Sequence, residues 1–268
     1  MPVGATPPWA AFVKCADGGA SPLFFPEAAD GNALAAMRMC FSAEASFAAA
    51  AALLPVGAYC VKAAVAKQPR WLPVAVVPLV FAIQQFSEGL VWVGLRHGHE
   101  TLTQAGALIF LFFALAFWPF WSGFAMWVQE TDPRRRRLLL GLALLGTVWL
   151  WAFYLPLAAE APALLTVSEH AGSVRYYYRE LPVLRVLPVA ASEVFYLLLV
   201  AVPLFVATGK RGRVPALALA VTAGVTAWFF QHTFVSVWCF FAAVMALALA
   251  WLFHVLPPRP GPAPDVVG

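Results

Sequence analysis

Seven long apolar segments punctuate the chain, at about 42 to 61, 71 to 95, 103 to 128, 138 to 158, 188 to 208, 214 to 231 and 235 to 256. Each is long enough to cross roughly 30 Å of hydrocarbon as a helix, so the pattern predicts an all-α bundle of seven transmembrane helices. The last two form one apolar stretch from Val214 to Leu256, about twice what a single crossing needs. It is expected to fold back near His232, Thr233 and Phe234, with Trp228 and Trp238 as interfacial aromatics beside the turn. Pro55, Pro73, Pro78, Pro119 and Pro203 fall inside segments, where neighbouring helices can satisfy the carbonyls they free, and they predict kinks rather than breaks.

Outside these segments the chain reads differently. Residues 1–38 are rich in Pro, Gly and Ala without an apolar period, and they lack the basic start and apolar run of a signal peptide. They are expected to be a disordered extension, with translation starting at Met39, and residues 258–268 a disordered tail. Residues 39–257 form the membrane domain. The connection 159–187 alternates apolar and polar residues on either side of Ala171, Gly172 and Ser173, which predicts a short β-hairpin. Two placements suit it: a lid above buried polar residues, or a loop resting on headgroups through Tyr176, Tyr177 and Tyr178.

Composition strengthens the membrane reading, since 62% of residues are hydrophobic and 11% charged, with a mean hydropathy of +0.79. A net charge of +4 raises nucleic acid as a partner, but Lys and Arg sit between apolar runs rather than on one stripe, so the partner they imply is the lipid bilayer. Lys62, Lys67, Arg70, Arg134 to Arg137, Lys210, Arg211, Arg213 and Arg259 share one side, eleven in all. The other side holds six: Lys14, Arg38, Arg96, Arg175, Arg179 and Arg185. The positive-inside rule then puts the N-terminus outside and the C-terminus in the cytoplasm, across the plasma membrane.

Candidate chemistry collects toward the outer side: Cys40, Ser42 and Glu44 in the first segment, Gln84, Gln85 and Glu88 in the second, Ser192 and Glu193 in the fifth, and His232, Ser236 and Cys239 near the last turn. Phe81, Gln85, Glu88 and Trp92 recur every three or four residues and share one helical face, expected to look into the bundle. An ionised Glu at membrane depth costs at least about 2.5–3.5 kcal/mol, so Glu88 is either a protonated structural carboxyl or part of a polar pocket, with Gln85 as partner and Trp92 near the mouth. The cysteines form no CxxC pair, and Cys40 with Cys239 either bridge the first and last segments or stay as buried thiols. His97 and His99 form a weak HxH signal; His232 with Glu88 and Glu193 would suit a zinc or hard-metal ion if the helices brought them together.

MCFSAEASF at 39–47, IQQFSEGLVW at 83–92 and SVWCFFAA at 236–243 resemble the hallmark segments of a bacterial family of multi-pass membrane proteins of unknown function whose members begin MCFSA. The resemblance implies that residues 1–38 are an addition, and it draws attention to Cys40, Ser42, Gln85, Glu88, Trp238 and Cys239. It carries no activity, substrate or cofactor. The reading favoured from the residues is binding, sensing or transport of a small ligand, cation or proton in an outward-facing pocket around Glu88, with Gln84, Gln85, Trp92, Glu193, His232 and Ser42 as further ligand residues. The alternative is a membrane-embedded metal-dependent hydrolase acting on lipid, although no HExxH or GxSxG occurs. A structural or assembly role is the third reading.

Overall fold

A computed structural model describes residues 42–170, 172–178, 180–207, 213–229 and 233–257. Helix α1 (Ala43–Lys67) opens on Ser42, whose Oγ accepts the Ala45 N–H at 3.2 Å and satisfies one of the donors a helix start leaves open. The second segment comprises a 3-10 turn (Pro69–Trp71), α2 (Leu72–Ala75) and α3 (Val77–His97), and α3 ends on Gly98 in the left-handed conformation at φ 66°. The third comprises α4 (Glu100–Leu111), a π-helical stretch (Phe112–Phe117) and α5 (Trp118–Gln129). Asp132 caps α6 (Pro133–Ala159) by accepting the Arg134 and Arg135 N–H groups. After α7 (Ala161–Leu164) come strands β1 (Thr166–His170) and β2 (Ser173–Tyr177), then α8 (Pro182–Val186), α9 (Val189–Val206), α10 (Arg213–Phe229), α11 (Phe234–Ala246) and α12 (Leu249–His254).

Among the described residues, six helical segments are long and apolar enough to cross a membrane: Ala43–Lys67, Pro69–His97, Glu100–Gln129, Pro133–Ala159, Val189–Val206 and Phe234–His254. The chain is therefore a multi-pass membrane protein. Its helices are apolar on the outside as well as the inside, with Leu144, Val148 and Trp151 of α6 all exposed, an arrangement only lipid tolerates. Helix α10 has 17 residues, about 26 Å at roughly 1.5 Å per residue, a little short of a ~30 Å core. The expected fold-back at His232 and the expected tails at 1–38 and 258–268 lie outside the described residues.

Proline positions show how a helix survives in lipid. Pro55 and Pro203 sit in unbroken helices, whereas Pro73 and Pro78 divide the second segment into its three pieces, because each removes an N–H from the ladder. Pro119 leaves the carbonyl four residues before it, that of Leu115, without its helical donor. Trp149 Nε1 of α6 donates to that oxygen at 2.8 Å, and Tyr196 of α9 donates its hydroxyl to the neighbouring Ala114 oxygen at 2.7 Å. The π-helical stretch is thus pinned by two helices that cross it. Trp149→Phe keeps the ring but strands the carbonyl, and is expected to lower stability by about 1–3 kcal/mol, measured as the fraction folded in graded denaturing detergent. An unchanged curve would show that the Leu115 oxygen does not depend on the indole.

The bundle has two ends. At the arginine end, named for Arg134–Arg137, Lys67 Nζ donates to the Phe253 and His254 oxygens at 3.0 and 2.9 Å, and Gln68 Nε2 to the Pro257 oxygen at 3.0 Å. The first helix thereby ties down the last carbonyls of the final one. At the hairpin end, Arg96 and Glu44 form an exposed ion pair at 2.8 Å. Strands β1 and β2 pair antiparallel, with His170 opposite Ser173, so the predicted hairpin is present, and Gly172 just before β2 has φ 75°. Strand alternation buries Val174 and Tyr176 while Tyr177 is exposed, so the three tyrosines do not lie together on the surface.

Candidate functional site

A buried polar cluster forms where α3, α11 and β2 meet. The α3 face read from the sequence is buried throughout, at Phe81, Gln85, Glu88 and Trp92, while Ile83 and Phe86 on the opposite face are half exposed. Gln84 and Gln85 are both 0% exposed and Glu88 is 2% exposed. Gln84 Oε1 accepts the Trp118 Nε1 hydrogen at 2.9 Å, tying α3 to α5, and the amide lies beside the Cys239 thiol. Gln85 and Ser236 face the Glu88 carboxyl. Tyr176 reaches the same group from the hairpin, its ring stacked on Phe110 at 5.0 Å. Burial first, then the nearby Glu88 and Cys239, push its phenol well above the ordinary tyrosine range, so it stays a hydroxyl and can donate.

The described residues do not satisfy this cluster by themselves. Gln84 Nε2, both polar atoms of Gln85, Glu88 Oε1, Trp92 Nε1, Tyr176 OH, Ser236 Oγ and Trp238 Nε1 have no hydrogen-bond partner among the described residues. Each such group costs about 1–3 kcal/mol when buried, and native proteins rarely leave many in one place. Four of the atoms are N–H donors and only Gln85 Oε1 and Glu88 Oε1 are pure acceptors, with the Ser236 and Tyr176 hydroxyls able to do either.

The remaining sequence candidates go elsewhere. Ser42 is occupied as the cap of α1, and Glu44 pairs with Arg96. Glu193 is exposed on α9 at the rim of a cavity it shares with Arg175 and Ser192, away from Glu88. Trp92 lies one layer under Arg96, whose guanidinium stands 5.9 Å from the ring centre. His232 and Cys40 lie outside the described residues; Cys239 is buried, with no disulfide to another described cysteine. Among the described residues no three His, Cys, Asp or Glu side chains gather as metal ligands. The sequence reading did not single out Trp118, nor place Tyr176 in the interior. The strand period, which puts Tyr176 on the face of Val174, was the available signal for the second.

Two cavities adjoin the cluster without being lined by Glu88 or Gln85. One, of about 110 Å³, lies under the hairpin; the other, of about 330 Å³, lies deeper between α3, α5, α9, α10 and α11. Residues 39–262 match DUF6629, a family of unknown function, and the chain belongs to that family. The match begins at Met39, where the MCFSA segment begins. No curated protein and no solved structure matches the chain.

Proposed function

We propose that this member of DUF6629 is an inner-membrane protein of seven crossings, N-terminus outside and C-terminus in the cytoplasm, that binds a small polar ligand or a proton at Glu88 from the hairpin end. The observation that carries the reading is a set of eight buried polar atoms, Glu88 Oε1 among them, that have no hydrogen-bond partner among the described residues, with Gln85, Ser236 and Tyr176 beside the Glu88 carboxyl at membrane depth. Ionisable residues in such positions commonly mark binding sites or proton paths. Four N–H donors among the eight disfavour a bare metal cation and suit a ligand that both donates and accepts. Seven crossings are supported by α10: Ala218 of that helix lines the deeper cavity, and Thr233 just beyond it lines the cavity under the hairpin.

Two measurements test this. Reporter fusions after Glu100 and after Arg213 are expected to report exterior and cytoplasm respectively; the reverse result would invert the side from which the site opens. For the site itself, infrared difference spectra of the reconstituted protein across a pH step are expected to show a carboxyl band that Glu88→Gln removes while the amide bands stay unchanged. A spectrum identical in the two proteins would sink the proposal, since a carboxyl that exchanges neither proton nor ligand with the exterior is only structural.

A further inference from the structure

The cavity under the hairpin and the deeper cavity share three wall residues: Tyr196, Trp238 and Cys239. They are therefore neighbouring cavities, separated by the Tyr196–Trp238 contact with ring centres 5.7 Å apart. Their chemistries differ, the upper being about half polar and the lower almost wholly apolar. The upper chamber is lined by Arg175, Tyr178, Ser192, Glu193 and Thr233, which bring both signs of charge and several hydroxyls. The lower is lined almost wholly by apolar groups such as Phe81, Trp118, Val200, Ala242 and Met245. Trp238 Nε1, a buried donor without an acceptor among the described residues, belongs to the residue that walls both.

A partly polar chamber lying against an apolar one is the complement of an amphiphile, once the Tyr196–Trp238 contact parts to admit it. We propose that the two chambers form one site for a membrane phospholipid, with an acyl chain in the lower chamber and a zwitterionic head under the hairpin. At about 330 Å³ the lower chamber is within the usual ~300–1,000 Å³ of ligand pockets and twice the ~150 Å³ that admits benzene. The upper, about 110 Å³, has the volume of roughly four waters at ~30 Å³ each, enough for a small head and too little for a sugar-bearing one. Arg175 suits a phosphate, and Glu193 in the same wall suits an amine while opposing a purely anionic head. Trp238 Nε1 is placed to donate to an ester oxygen between head and chain. Glu88 lines neither chamber, so the site stands whether or not that carboxyl binds anything.

The test is native mass spectrometry of the full-length protein released from vesicles holding equal amounts of phosphatidylethanolamine and phosphatidylglycerol. One phosphatidylethanolamine is expected to stay bound per chain. Ala242→Phe and Ala218→Phe, on different helices, fill the lower chamber and should each cut the retained fraction about tenfold or more, the effect of roughly two displaced methylenes. Glu193→Gln should move the preference toward phosphatidylglycerol. A wild-type chain that emerges bare, retention undiminished in both phenylalanine variants, a free fatty acid in place of phospholipid, or a wild-type preference for phosphatidylglycerol would each overturn the assignment.

Discussion

With valine in place of Gly146, α5 and α6 are expected to separate and the protein to lose about 3 kcal/mol or more of stability, the largest effect of any single substitution considered. A Cβ on Gly146 would meet the Pro119 oxygen at 2.5 Å and the Phe120 N and Cα at 2.6 Å. These are backbone atoms beside the π-helical stretch, already held by Trp149 and Tyr196, so they cannot give way as a flexible side chain would. One turn away the same two helices touch at Gly123, where a Cβ would meet the Ala143 N at 2.7 Å. In lipid, where no hydrophobic force drives helices together, such close approach of small residues supplies the packing. Gly141 on the same helix has nothing within 4 Å of a Cβ, so Gly141→Val is the matched control and should lie within about 0.5 kcal/mol of wild type. Folded fractions in graded denaturing detergent compare the two. Equal curves would mean the helices do not cross at Gly146.

Gln85→Leu is expected to act in the opposite direction, raising stability by about 1–3 kcal/mol. Gln85 is fully buried and neither its Oε1 nor its Nε2 has a hydrogen-bond partner among the described residues, so leucine of similar size removes two unsatisfied polar atoms and leaves packing intact. A structural glutamine gives the other sign, because its removal would orphan whatever it was bonded to. The gain should come with a loss of the Glu88 carboxyl response to pH, the usual trade between stability and a working site. The same denaturation assay, run beside the infrared measurement, separates the cases. A destabilised Gln85→Leu with an unaltered infrared response would identify the cluster as mere scaffolding.

Much of the site was legible before the fold. The Phe81, Gln85, Glu88 and Trp92 face follows from helical period alone, because burial of one helix stripe is a property of local sequence, and all four residues are buried. Glu193 and Ser42 were grouped with Glu88 because they lie toward the same side of the bundle, and for them that was the only coordinate taken from the sequence. Which way a residue faces around the axis depends on helix rotation and crossing. That rotation leaves Glu193 exposed on α9, and the start of α1 at Ala43 makes Ser42 its cap.

Hydropathy is summed over some twenty neighbouring residues, so the membrane class, the apolar segments and the alternating hairpin were determined by the chain itself. The meeting of Glu88 with Ser236 and Tyr176, the rescue of the Leu115 oxygen by Trp149, and the placing of a partly polar cavity beside an apolar one at Trp238 were decided only by tertiary structure. The physical reason is range. A hydrogen bond acts within about 3 Å and has no signature at long sequence separation, whereas a membrane selects on the mean polarity of a whole segment.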